Sequence, residues 1–410
     1  MGNATERPAR GGRRVFAAIV LTVVLLIAVP VTAGVVEIAG RLAEGAASAG
    51  DPSFYTPPTP IPAGQPGDVI RTERLDDGPE GALAWRVLYH STDASGADIA
   101  VSGTIIAPVD AAKEGDRTVV SWAHPTTGTA PRCAPSIGVD PFDLIEGLDR
   151  LLAAGYVVAA TDYAGMGAPG SPSFLIGDTE AANVLDIARA AQHVDGTGAS
   201  DRVVLWGHSQ GGHASLFAAA RAPAYSPDLE VQAVAVAAPA TDLASLLSAD
   251  IGDVSGVTIG AYAFDSYATA YASSLPADPL AAILTQAGAD AVPGMADLCL
   301  IGQNSQLHDI ADPLIGSFLA HDPTTVPGWK DVLAQNAAPT SRLDVPLFVA
   351  QGASDTLVRP AVTASYVVAQ QAAGTDVTSE TYPGVGHGEI ALKALDALLP
   401  WLADRAPASR

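Results

Sequence analysis

The feature that most constrains this chain is a five-residue turn, Gly207-His208-Ser209-Gln210-Gly211, set between the apolar run Val203-Val204-Leu205-Trp206 and the helix-forming stretch Ala214 to Arg221. A strand that turns directly into a helix forces the central serine into a strained backbone, and glycines two positions either side clear space around its hydroxyl. The turn also sets Ser209 at a helix N-terminus, where main-chain N–H groups point at any negative charge that forms. Glycine-x-serine-x-glycine strings are common by chance, so the strand before and the helix after carry the weight. The rest of the chain must then supply a sheet whose strands run into helices.

It does so in two parts. Three strand-like stretches, Val69 to Leu75, Leu83 to His90 and Ile99 to Ile106, are separated by the turn pairs Asp77-Gly78 and Ser95-Gly96. Alternation follows: a strand at Val119 to Trp122, a helix over 141–154, a strand at Tyr156 to Thr161, a helix over 179–194, the Val203 strand and a helix over 210–221. Further strands are expected at 231–237, 345–350 and 377–382. Strands alternating with helices predict an α/β fold, a mainly parallel sheet with helices on both faces. More than a helical crossover separates Val236 from Pro346, which predicts an insertion over 241–340. It is alanine-rich, with a helix expected over 258–272. Tyr267 and Tyr271 share a face of that helix, read as ordinary packing ahead of an acyl-chain wall.

A serine hydroxyl is a poor nucleophile until a base takes its proton. His208 and His213 are too constrained by the turn and its helix. His387, in Gly384-Val385-Gly386-His387-Gly388, lies on a glycine-flanked loop between the last strand and a C-terminal helix and is the favoured base. The base needs a carboxylate to hold its tautomer, and Asp355 follows the strand Leu347-Phe348-Val349-Ala350 by one short turn. Asp344 and Asp376 are reserves, but each precedes a strand. The order Ser209, Asp355, His387, with each residue at the C-terminal end of a strand, is that of an α/β-hydrolase. Acyl transfer also needs oxyanion donors. One is the N–H of Gln210; the second is sought in the loop Trp122-Ala123-His124-Pro125-Thr126-Thr127-Gly128, where Thr127, with its N–H and hydroxyl, is chosen over Thr126. Pro125 has no N–H. Asp162, on another strand end, is read as ordering loops.

Charge and the N-terminus narrow the setting. A formal charge of −23, from 21 basic and 44 acidic residues, repels phosphate backbones, so no nucleic acid partner is expected. Arg7, Arg10, Arg13 and Arg14 precede an uncharged run from Val15 to Val36, the pattern of an export signal. Val31-Thr32-Ala33 reads as a cleavage site, whereas residues 15–36 are also long enough to stay as a membrane tether. Either way the folded part is exported, secreted or held at the outer face of the cytoplasmic membrane. Domain limits are 1–36 for the signal or anchor, 37–67 for a proline-rich lead-in with helix excluded over 50–67, 68–240 and 341–405 for the core, and 241–340 for the insertion. In an oxidising compartment the only two cysteines, Cys133 and Cys299, are predicted to be joined. No H-E-x-x-H, phosphate-binding glycine loop or calcium loop is present, so neither metal nor cofactor is called for.

Taken together, His124-Pro125-Thr126-Thr127-Gly128 followed by Cys133-Ala134-Pro135-Ser136, the Gly207-to-Gly212 elbow, the long insertion before Asp355, and His387 resemble the secretory lipase family of α/β-hydrolases, the fungal lipase A type, over most of residues 65 to 405. The resemblance implies carboxylic ester hydrolysis on acyl lipids such as triacylglycerols, a lid-bearing helical cap from the insertion, an oxyanion donor at Thr127 and a disulfide from Cys133 into the cap. The competing readings are a serine peptidase on the same scaffold, because Asp162-Tyr163-Ala164-Gly165-Met166-Gly167 resembles a rim loop of prolyl peptidases, and a tethered binding protein without activity.

Overall fold

The computed structural model describes residues 52–109, 115–138 and 140–409. The signal-or-anchor segment 1–36 and the start of the lead-in lie outside them. Within the lead-in, Pro52–Tyr55 closes one 3-10 turn. That corrects the exclusion of helix there, because proline is tolerated at the first position of such a turn.

Among the described residues nine strands form one sheet: β1 Val69–Leu75, β2 Ala82–Thr92, β3 Asp98–Pro108, β4 Arg117–Ala123, β5 Val157–Thr161, β6 Ala199–His208, β7 Glu230–Ala237, β8 Leu347–Gly352 and β9 Val377–Tyr382, in spatial order β1-β2-β3-β5-β4-β6-β7-β8-β9. The β1–β2, β2–β3 and β3–β5 pairings are antiparallel; every later pairing is parallel. The central strands are buried on both sides, and their alternation shows why. Along β6, Val203 and Leu205 enter one core while Val204 and Trp206 enter the other. The first core is closed by α2 (Gly177–Gln192), α3 (Gln210–Tyr225) and α9 (Pro360–Ala373), the second by α1 (Leu148–Ala153) and α10 (Ile390–Arg405). This is the α/β-hydrolase fold.

The helix expected over 141–154 is present only as α1. Residues 141–147 form turns instead, because two buried indoles claim their carbonyls: Trp122 Nε1–H donates to Leu144 O at 3.0 Å and Trp206 Nε1–H to Glu146 O at 3.3 Å. Gly147 then takes the left-handed φ of 92°, with Leu395 filling the place where a Cβ would sit.

Between β7 and β8 the chain forms α4 (Leu243–Asp250), α5 (Val254–Ala270), α6 (Gln286–Ala296), α7 (Leu300–Ala311) and α8 (Trp329–Gln335). Asp242, Asp253 and Thr285 cap α4, α5 and α6 by accepting from main-chain N–H groups. The Asp253 cap starts α5 ahead of the expected 258. These helices bury their own cluster, including Phe264, Tyr267, Phe318 and Trp329. Cys133 and Cys299 are disulfide-bonded with Cα atoms 5.3 Å apart, joining the loop after β4 to the start of α7. Gly128 makes the room: a Cβ there would lie 2.7 Å from Cys133 Sγ. Beside the bridge, Leu300 N–H donates to Thr127 O at 2.8 Å.

Candidate active site

Three strand ends converge on one spot. Ser209, where β6 becomes α3, has φ 56° and ψ −115°, a region that L residues occupy only when surroundings impose it. The surroundings do so: Ser209 N–H donates to Ala237 O at 2.9 Å, and its carbonyl accepts from His213 N–H at 3.1 Å and Ala240 N–H at 3.2 Å. The flanking glycines are required by contact, since a Cβ on Gly207 would lie 2.1 Å from Gly211 O and one on Gly211 would lie 1.8 Å from Ala123 O.

Asp355 follows β8. Its Oδ1 accepts from the N–H groups of Leu357 and Val358, both at 2.9 Å, and its Oδ2 lies 2.8 Å from His387 Nδ1. A carboxylate so held takes a proton donor at Nδ1, which leaves His387 Nε2 as the acceptor facing Ser209 Oγ at 2.9 Å. The loop carrying His387 is tied to the loop carrying Asp355 through Ser354 N–H on Val385 O and Ala353 N–H on Tyr382 O, both 2.9 Å. The reserve acids are not part of this cluster; Asp344 and Asp376 are exposed before β8 and β9.

Four other histidines are placed as follows. His90 pairs with Asp98 and His193 contacts Gly67 O. His208 is buried beside the site, its ring 4.9 Å from that of His387 and its Nδ1 2.8 Å from Glu146. His124, fully buried, has its imidazole pushed down to about 4 by desolvation. Asp162 is buried and accepts from Ser102 Oγ at 2.5 Å, from Ser136 N–H at 2.9 Å and from the Ser136 hydroxyl, so it fastens the loop that carries Cys133.

The two residues expected as oxyanion donors differ in setting. As the first residue of α3, Gln210 has no intrahelical acceptor for its N–H. Thr127 is buried with its hydroxyl turned to Met166 Sδ at 3.9 Å, so the expectation that it offers a hydroxyl is corrected; its main-chain N–H remains. Thr126 is the threonine that lines the pocket.

That pocket, about 150 Å³, lies over Ser209 and His387 and is walled mainly by apolar side chains, among them Phe174, Leu175, Leu243, Phe264, Tyr267 and Leu333. Tyr267 does more than pack, since its hydroxyl donates to Leu175 O at 2.8 Å. Sequence reasoning missed Phe174, Leu175 and the buried Glu180 beneath them. The signal was available in α2, where Glu180, Asn183 and Asp186 recur every three residues in an alanine-rich helix. Buried polar groups at that spacing must have partners.

A family model described as secretory lipase matches residues 143–409, well over half of the chain. Among curated proteins, Lipase 6 of Candida albicans is 32% identical over 196 residues, covering 43% of this chain and 41% of that protein. A probable inactive lipase of Mycobacterium tuberculosis, MT1628, is 28% identical over 214 residues, 47% of this chain and 46% of its own. The chain thus spans less than half the length of these relatives. Among solved structures, lipase A of Candida antarctica superposes with a TM-score of 0.65 at 21% identity, covering 82% of this chain and 81% of that one. The rice cell wall degrading esterase LipA of Xanthomonas oryzae gives 0.67 at 17%, covering 83% and 98%. At such identities these two establish a shared fold.

Proposed function

This chain belongs to the secretory lipase family, and on that premise we propose that it is an exported carboxylic ester hydrolase acting on acyl lipids through an acyl-enzyme on Ser209. The observation that carries the reading is the continuous relay Ser209 Oγ to His387 Nε2 at 2.9 Å and His387 Nδ1 to Asp355 Oδ2 at 2.8 Å, opening into an apolar pocket. His387 takes the Ser209 proton as the hydroxyl oxygen attacks the ester carbonyl. Asp355 stabilises the imidazolium without taking the proton. The main-chain N–H groups of Gln210 and Thr127 hold the developing oxyanion, and the dipole of α3 adds to them. His387 then returns the proton to the leaving alcohol, and water activated by the same imidazole releases the acid.

The helices between β7 and β8 serve in this reading as the cap over the acyl chain, with 241–340 as its limits. Export, by a cleaved signal or with residues 15–36 retained as a tether, agrees with the disulfide and with the family's secretory character. A second reading has one observation in its favour, the relative described as a probable inactive lipase: a binding protein that does not turn over. Both are tested by hydrolysis of aryl esters of increasing chain length beside peptide amides, with Ser209→Ala as the blank. Ester turnover abolished in the blank is expected. Cleavage of amides alone, or no turnover together with no labelling of Ser209 by a fluorophosphonate, defeats the proposal.

A further inference from the structure

Glu180 lies in the first turn of α2, fully buried beneath the pocket. Its Oε1 accepts from Gln210 Nε2 at 2.6 Å and from Leu175 N–H at 3.0 Å. Its Oε2 faces His213 Nδ1 at 3.3 Å. The other ring nitrogen of His213 lies 2.8 Å from the carbonyl of Asn336, which can only accept, so that nitrogen carries a hydrogen. Between Nδ1 and Oε2 there is then room for a single hydrogen: with none, two lone pairs oppose each other, and with two, the hydrogens collide. Whichever atom holds it, the pair is neutral as a whole.

Neutrality matters at this position. Gln210 directly follows Ser209, and its main-chain N–H is the proposed oxyanion donor. An uncompensated carboxylate beside it, in apolar surroundings, would oppose the charge that the donor has to stabilise. Burial pushes the Glu180 carboxyl up, in the direction that disfavours a bare anion. The same carboxyl also holds Leu175, which has a left-handed φ of 55° and whose carbonyl takes the Tyr267 hydroxyl, while Gly177 N–H donates to Asn336 Oδ1 at 2.9 Å. One buried group thus ties the residue after the nucleophile to the loop and the helices that wall the pocket.

We propose that Glu180 is a positioning residue for the oxyanion side of the site: it fixes Gln210 at the start of α3, and the proton it shares with His213 lets a carboxyl do so without placing net charge beside the reacting ester. This rests on the ester hydrolysis proposed above. Glu180→Gln preserves every bond, its carbonyl accepting from Gln210 and Leu175 and its amide donating to a neutral His213. Glu180→Ala removes them. The test measures kcat and KM on a short and a long aryl ester, the rate of Ser209 labelling by a fluorophosphonate, and Tm.

Glu180→Ala is expected to lower kcat about tenfold on both esters, with KM for the short ester unchanged and labelling slowed in parallel, and Glu180→Gln to recover to within about threefold. Unchanged kcat in Glu180→Ala, a loss confined to KM for the long ester, or a folded Glu180→Gln as impaired as Glu180→Ala overturns the inference. Should Glu180→Ala fail to fold, Gln210→Leu severs the same link from the other end, and normal kcat and labelling there overturn it equally. A wild-type protein that labels but turns over no ester sinks the substrate reading while the labelling rates still decide on Glu180. If it neither labels nor turns over, both fall.

Discussion

At the sheet rim, Ser209, Asp355 and His387 each stand within a few residues of a strand end, and main-chain bonds such as Ser209 N–H on Ala237 O of the neighbouring strand hold them. In the helices between β7 and β8, the pocket wall is held by side-chain packing, Phe264 against Trp329 at 5.3 Å between ring centroids and Tyr267 against Tyr271 at 5.7 Å. The rim is thus positioned by main-chain hydrogen bonds, which tolerate little displacement, and the wall mainly by side-chain packing, with the Tyr267 hydroxyl on Leu175 O as a polar tie. Chemistry and substrate fit should therefore fail separately. A rim change should abolish turnover of every ester; a wall change should alter which ester is taken or how stable the upper helices are.

The largest expected effect is at the rim. Asp355→Asn keeps the shape but presents the wrong hydrogen to His387 Nδ1, and kcat should fall about 10⁴-fold at unchanged Tm. A loss under tenfold would show that the relay does not depend on this acid. Next is the tie between the two regions. Cys133 and Cys299 are separated by 166 positions, and replacing both with serine should cost about 4 to 5 kcal/mol on chain-entropy grounds, read by denaturant unfolding. Hydrogen exchange should rise first in α7, and if β4 and β6 loosen equally the two regions are not separable.

His124, under the rim, should make the core acid-sensitive. Its imidazole stays neutral down to about 4 in the fold against 6.5 unfolded, so the unfolded chain takes up the proton first and stability is lost as pH falls from about 6.5 toward 4. His124→Phe, which keeps a ring against Tyr163, should flatten that loss by about 3 kcal/mol between pH 7 and pH 4. An unaltered slope would place the acid sensitivity elsewhere. At the wall, Tyr267→Phe leaves Leu175 O without its donor and should cost about 1 kcal/mol, with KM raised for long esters only. An equal rise for short esters would put Tyr267 with the rim. Smallest of all, Thr127→Val removes only a hydroxyl that faces Met166, and kcat should stay within about twofold. A drop of a hundredfold would return that hydroxyl to the oxyanion hole.

Much of this was legible in the chain because it is local. Strand, turn and helix around Ser209 are written in adjacent residues, and Asp355 and His387 follow their strands by short turns. Their convergence follows from parallel strands that all end at one edge. The helix expected over 141–154 failed because its backbone is claimed by Trp122 and Trp206, distant residues that no local pattern reveals. Likewise Thr126 and Thr127 are equivalent on paper, and only the packing of Met166 and Leu300 N–H against Thr127 turns one inward and the other to the pocket.

The α/β alternation, the long helical stretch between β7 and β8, and the strand ends on which Ser209, Asp355 and His387 stand are readable from the chain, because strand pairing and turn geometry act over a few neighbouring positions. Only the packed chain brings Phe174 and Leu175 to Tyr267 above Ser209 and lets Gln210 and His213 share Glu180. Those contacts join α2, α3 and the helices above them. Side-chain complementarity between segments remote in the chain depends on how the layers pack, which residue spacing along the chain does not encode.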